Sequence, residues 1–268
     1  MQMKQNDRNR GVAEKGRSFR AATFDLQAIL SVPFAGDNQI FYKLKLHVYN
    51  LTIFDGSNPE GHCYVWDETH GKKGSAEIGT CLLKYLHGLP ETVTHVSTFS
   101  DTCGGHNRNK YVAAAMLYAV NKINHLKVIV LKFMESGHSY LEADSMHATI
   151  ERARKHKTIY TTREWSVLIS AARIRPKPYI VNNLNFNDFY DLQKVADTMI
   201  SNVTEIKEPR GRGRRTKEKR LRETPPDWTS FELLKKFTQS LPVSDKKKRR
   251  SITSACRYYT QRLQPIHQ

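Results

Sequence analysis

Three aspartates stand where secondary-structure elements are expected to begin or end. Asp25 lies inside the apolar run FRAATFDL. Asp101 falls where THVSTFS stops and a polar turn with Gly104 and Gly105 begins. Asp144 sits near the start of LEADSMHATIERARK, whose Met146 and Ile150 are four apart, as on a helix. Carboxylates on two strands and a facing helix are what two-metal phosphoryl chemistry needs. Hard Mg²⁺ ions prefer carboxylate oxygen, and two ions about 3.5–4 Å apart can activate an attacking oxygen and stabilise a leaving one. Each acid also has a plainer reading. Asp25 can cap a helix over Leu26 to Leu30, and Asp101 can close an Asx-turn or cap the helix behind it.

The elements that must position these acids alternate. After the polar residues 1–18, FRAATFDL reads as a strand. FYKLKLHVYNLTIFDG is the clearest β segment, with Tyr42, Leu44, Leu46 and Val48 alternating with Lys43, Lys45, His47 and Tyr49. HCYVWDE is a third strand, and GKKG a basic turn. SAEIGTCLLKYLHGLP is helical, stopped by Gly88 and Pro90. The strand before Asp101, a helix from Tyr111, the β-branched run KVIVLKFM and the helix carrying Asp144 complete the core. On that helix Asp144, His147 and Glu151 share one face. This order predicts an α/β fold with a mixed five-stranded sheet and flanking helices over residues 19–157. Residues 158–204 read as a small α-rich extension, with RPKPYIV extended by its prolines. Residues 205–268 read as a basic, largely disordered tail with one short helix, DWTSFELLKKFTQSL.

The chain has 268 residues and a formal charge of +17, from 43 basic and 26 acidic side chains. Such an excess favours a polyanionic partner, most simply DNA or RNA. Arg212, Arg214 and Arg215 in one cluster, and Lys247, Lys248 and Arg249 in another, are candidate phosphate contacts, and such clusters also fit nuclear import. No apolar run is long enough to span a bilayer, and the first residues lack a secretory core. The four cysteines form no CxxC pair, consistent with reduced thiols in a nuclear or cytosolic compartment.

FDLQAILSVP, FYKLKLHVYNLTIFD, SDTCGGHNRNKYVAAAMLYAV and GHSYLEADSMHATIE give the chain a resemblance to a transposon-associated family of eukaryotic proteins. Its order of elements and acids also resembles the ribonuclease H-like fold of integrases and DDE/DDD transposases. The resemblance spans about residues 19–200. It implies that the first and fourth strands are neighbours, with Asp25 and Asp101 side by side. It implies Asp25, Asp101 and Asp144 as catalytic ligands of Mg²⁺ or Mn²⁺, with Glu142, and then His147 and Glu151, as further ligands or neighbours. Asn107 and Asn109 become polar groups beside the metals or the nucleic-acid backbone. The implied activity is metal-dependent DNA cleavage or strand transfer in the nucleus. His106 stands where the family's motif has Gln. Family members also carry a longer, Cys-containing N-terminal region, which implies a shortened or decayed copy here.

Other chemistries fit less of the sequence. GHSYL echoes a serine-hydrolase elbow, but Leu141 stands where that turn needs Gly. Cys103, His106, His138 and His147 offer zinc ligands without a second close pair. The main alternative is a non-catalytic nucleic-acid-binding protein on the same fold, using the basic tail and aromatic residues such as Trp165, Tyr179 and Phe186.

Overall fold

The computed structural model describes residues 2–14, 17–34, 45–103, 105–134, 141–201, 203–206, 218–221 and 231–243. Helix α1 (Gln2–Ala13) precedes strands β1 (Phe19–Leu26), β2 (Leu30–Val32), β3 (Leu46–Asp55) and β4 (Glu60–Asp67). Then come α2 (Ser75–His87), β5 (His95–Ser100), α3 (Lys110–Lys122), β6 (Val128–Phe133), α4 (Glu142–Arg154) and α5 (Thr162–Ala171). β7 (Ile180–Asn183), a 3₁₀ turn (Phe186–Asp188), α6 (Leu192–Ser201) and the pair β8 (Val203–Ile206) and β9 (Glu218–Leu221) complete the order.

A mixed seven-stranded sheet has the order β6-β5-β1-β3-β4-β7, with β2 also paired to β3. β3 runs against its neighbours, whereas β5 is parallel to β1 and β6, and β7 is parallel to β4. The α/β class follows the sequence reading; the number of strands does not. The two added strands are short. β2 continues the hairpin from β1, and β7 brings the expected α-rich extension into the sheet itself. Its first two residues, Ile180 and Val181, end the stretch read as proline-extended, and extended backbone is ready to pair. Asp25 is therefore a strand residue, not the cap of a helix. Tyr42 and Leu44 lie outside the described residues.

Alternation along the strands feeds two cores. Ala22 and Phe24 of β1, Leu51 and Ile53 of β3, and Tyr64 and Trp66 of β4 pack under α2, α3 and α6. Val48 of β3 and Cys63 and Val65 of β4 pack under α4 and α5, against Met146, Ile150 and Trp165. Burying each large apolar side chain contributes about 1.5–3 kcal/mol relative to exposure, so this two-sided pattern fixes which strand residues look up and which look down. Thr23 and Asp25 look toward α4.

Polar α1 reads in sequence as a lead-in, yet it is seated on the α4 side of the sheet. Lys4 and Arg8 pair with Glu142, and Asp7 pairs with Lys132 and accepts a hydrogen bond from Ser97. Gly11 permits this close approach, because a Cβ there would meet Ser57 Oγ at 1.9 Å.

The helix expected over DWTSFELLKKFTQSL is not found in its described part: residues 231–241 are non-helical. They form a strap instead. Lys236 N–H donates to Phe189 O, Asp191 N–H to Leu234 O, and Leu241 N–H to Thr69 O. Lys236 Nζ reaches the buried Glu77 at 2.6 Å. Backbone bonding to the domain takes the place of bonding within a helix. Arg212, Arg214, Arg215, Lys247, Lys248, Arg249 and His138 lie outside the described residues. Among the described residues no helix is long and apolar enough to cross a membrane.

Candidate metal centre

β1 and β5 are parallel neighbours, with Thr23 level with Phe99. Carrying that offset two residues further sets Asp101, just past β5, level with Asp25. Both acids thus stand at the C-terminal edge of the parallel strands, where α/β sheets gather ligand-binding groups. The third acid comes from above. Ala143, Met146 and Ile150 form the buried stripe of α4. Burying them turns Asp144 and His147 toward β1 and Glu151 toward Gln27.

Asp25, Asp144 and His147 offer ligand atoms that all lie within 4.8 Å of one another. His147 Nδ1 is 3.9 Å from Asp25 Oδ2. Burial lowers the imidazole's proton affinity to about 4, so this contact joins a carboxyl to a neutral ring and is not an ion pair. On the far side of the ring, Nε2 is 2.8 Å from Thr52 Oγ1. Thr52 gives its one hydroxyl proton to the Asp25 carbonyl, at 3.1 Å. The hydroxyl must then accept from Nε2–H, which leaves the Nδ1 lone pair facing Asp25.

Asp25 is pushed up to about 7, first by burial and then by the charge of Asp101, with Asp144 adding a smaller push. The Leu26 N–H and the ammonium of Lys73 act the other way. Lys73 belongs to the GKKG turn and is exposed. Its charge also disfavours protonation of His106, after burial. That turn is held in place: Lys72 N–H donates to Glu77 Oε1 and Lys72 O accepts from Trp66 Nε1. In sequence GKKG is merely a basic turn. What marks it is β4 ending at the same sheet edge as β1.

Asp101 lies close enough to act on Asp25 but outside the tight trio. Its Oδ1 accepts from Cys103 N–H at 3.1 Å and from Asn107 Nδ2 at 2.5 Å. It closes an Asx-turn as well as facing the site, so both sequence readings of it hold. Glu142 is not among the clustered ligands. Its carboxylate is drawn away by Lys4 at 3.1 Å and Arg8 at 3.5 Å. Glu151 is likewise engaged, with Gln27 Nε2 and Arg154.

The two asparagines are polar groups beside the site, each held in place by its own hydrogen bonds. Asn107 is 1% exposed and anchors Asp101. Asn109 caps α3, accepting from Tyr111 N–H and Val112 N–H and donating to His106 O. Trp165 and Tyr179 are core residues of the α5 side, closed to base stacking. Cys103 Sγ and His106 Nδ1 are 3.4 Å apart, but among the described residues no third ligand joins them. His147 instead belongs with Asp25 and Asp144.

The donor set fits a divalent cation. Ligands around an ion with bonds of about 2.0–2.2 Å are themselves separated by about 3–4 Å, and the Asp25–His147 separation lies in that range. Two carboxylates and a neutral imidazole supply the charge and lone pairs that such an ion requires.

The family model for a domain of unknown function, DUF7869, matches residues 37–221. The match takes in Asp101, Asp144 and His147 and begins after Asp25. No curated protein matches the chain. Because the family model covers well over half of the sequence, the chain belongs to the DUF7869 family.

Proposed function

We propose that this chain is a transposon-derived, nuclear nucleic-acid-processing protein, built on a ribonuclease H-like core, that cleaves or transfers DNA strands with Mg²⁺ or Mn²⁺. The observation that carries the reading is the clustering of Asp25 with Asp144, with Asp101 close enough for its charge to act on Asp25. The five longest strands support it, in the order β6-β5-β1-β3-β4 with β3 alone reversed. The excess of basic residues fits a polyanionic substrate.

Asp25, Asp144 and His147 would hold one cation, and Asp101 would be the nearest further acid available to a second. A bound cation supplies Lewis-acid polarisation of a phosphoryl oxygen and a water acidic enough to attack at neutral pH. The protein's own part is orientation. The Asp101 carboxylate is locked by Cys103 and Asn107, the imidazole is locked by Thr52, and Lys73 stands exposed at the rim to meet an incoming phosphate. Of the aromatic residues on which the non-catalytic alternative relies, Trp165 and Tyr179 are buried and Phe186 stays partly exposed.

The test is nicking of labelled single- and double-stranded DNA and RNA with Mg²⁺ or Mn²⁺. Cleavage by the wild-type chain that disappears with Asp101→Asn is the expected result. Metal-independent cleavage, or equal cleavage by the variant, would overturn the proposal. Binding of these strands without cleavage would leave the non-catalytic reading in its place.

A further inference from the structure

We infer that His147 Nδ1 is a direct ligand of the centre, and that this makes the centre selective for Mn²⁺ and similar borderline ions over Mg²⁺. The inference rests on the metal-dependent reading above and specifies which ion that site takes. It starts from what each neighbouring group has left to offer. Asp101 Oδ1 is committed to Cys103 and Asn107, Glu142 to Lys4 and Arg8, and Asp144 Oδ2 to the Leu141 N–H, which leaves Asp144 its other oxygen. The atoms that do converge are two carboxylate oxygens and one imidazole nitrogen.

The imidazole is prepared for this role. α4 cannot rotate without exposing Met146 and Ile150, which are 2% and 0% exposed. Nε2–H is committed to Thr52 Oγ1, itself tied to the Asp25 carbonyl. A metal-binding histidine characteristically gives its second N–H to such a partner, which fixes the tautomer and the ring's direction. The free lone pair then faces an Asp25 carboxyl oxygen across 3.9 Å, too far for a direct hydrogen bond. A cation bonded to both atoms would fill that gap.

The identity of the third ligand decides the ion. Mg²⁺ is hard, holds its waters and seeks oxygen. Imidazole nitrogen suits the later divalent ions best, and Mn²⁺, the first in their affinity order, tolerates it better than Mg²⁺ does. A set of three carboxylates would favour Mg²⁺; replacing one by imidazole moves the preference toward Mn²⁺.

The direct test is pulsed electron paramagnetic resonance of the full-length chain loaded with Mn²⁺, together with calorimetric titration of Mn²⁺ and Mg²⁺. A ¹⁴N coupling from a directly bound imidazole is expected, with Mn²⁺ bound more tightly than Mg²⁺. His147→Asp should abolish the coupling and narrow or invert the preference while metal still binds. Thr52→Val should weaken Mn²⁺ by about tenfold, through the lost orientation of the ring. Mn²⁺ bound by the wild type without ¹⁴N coupling would overturn this inference alone, and that measurement needs no variant to fold. Failure to bind either ion would overturn the metal-dependent reading along with it.

Discussion

Asp25 and Asp55 stand on adjacent strands at opposite edges of the sheet, and burial raises the proton affinity of both. Their surroundings differ in sign. Asp55 accepts from Arg20 Nη1 at 3.0 Å, Tyr85 OH at 3.3 Å, Ser57 N–H at 2.9 Å and Asn58 N–H at 3.2 Å. Asp25 has two further acids as its charged neighbours, with the Leu26 N–H and the Lys73 charge opposing them. At one edge the fold completes a charge with its own groups. At the other it gathers like charges and leaves them for something else to neutralise. A buried acid that serves structure is surrounded by donors, whereas clustered acids with strained ionisation mark a candidate site.

The largest expected effect breaks the structural member of the pair. Asp55→Asn leaves Arg20 buried without its counter-charge, and should cost about 3–5 kcal/mol of stability. Chemical denaturation of the metal-free chain measures it, and metal affinity should be unchanged. A loss below about 1 kcal/mol, the level of an exposed ion pair, would erase the contrast between the two edges.

A second expectation concerns pH. Folding moves Asp25 from its ordinary 3.8 to about 7, so the folded state keeps a proton that the unfolded chain releases. The stability contributed by that proton is full below about pH 4 and is lost as pH rises through about 7. Metal-free Asp25→Asn should therefore gain on the wild type across that window. His147 is displaced the opposite way, and comparing these two proteins cancels its contribution. With Mn²⁺ present the wild type should gain from rising pH, because a protonated carboxyl does not ligate. Parallel pH profiles for the two proteins would contradict this account.

The smallest effect is at the rim. Lys73→Gln should weaken DNA binding modestly and make its logarithmic salt dependence shallower by about one. Titrations at several salt concentrations decide it, and an unaltered slope would remove Lys73 from the interface.

The parts of this site that were legible in sequence are those set by local periodicity. A β-rich run ending at an acid gave the Asp25 and Asp101 strands. The i, i+3 spacing put Asp144 and His147 on one face. What escaped depends on distant partners. Glu142 is indistinguishable from a ligand until Lys4 and Arg8, far away in sequence, claim it. Asn107 and Asn109 look like free polar groups until their bonds to Asp101 and to the start of α3 are seen. β2 and β7 have three and four residues, too few to establish an alternation. Residues 231–241 have helix-forming side chains, but their backbone bonds to the domain take the place of a helix. Lys73 carries no local signal, since its value comes from β4 ending at the same sheet edge as β1 and β5.

The central claim is that the edge holding Asp25 is completed by a divalent cation. Thermal unfolding of the wild type, Asp25→Asn and Asp55→Asn, each with and without Mn²⁺, tests it most directly. A cation that binds the folded state raises the midpoint by mass action. The account predicts such a rise for the wild type and for Asp55→Asn, from its lower starting point, and none for Asp25→Asn. An unmoved wild-type midpoint at saturating Mn²⁺, or an equal rise in Asp25→Asn, would contradict it.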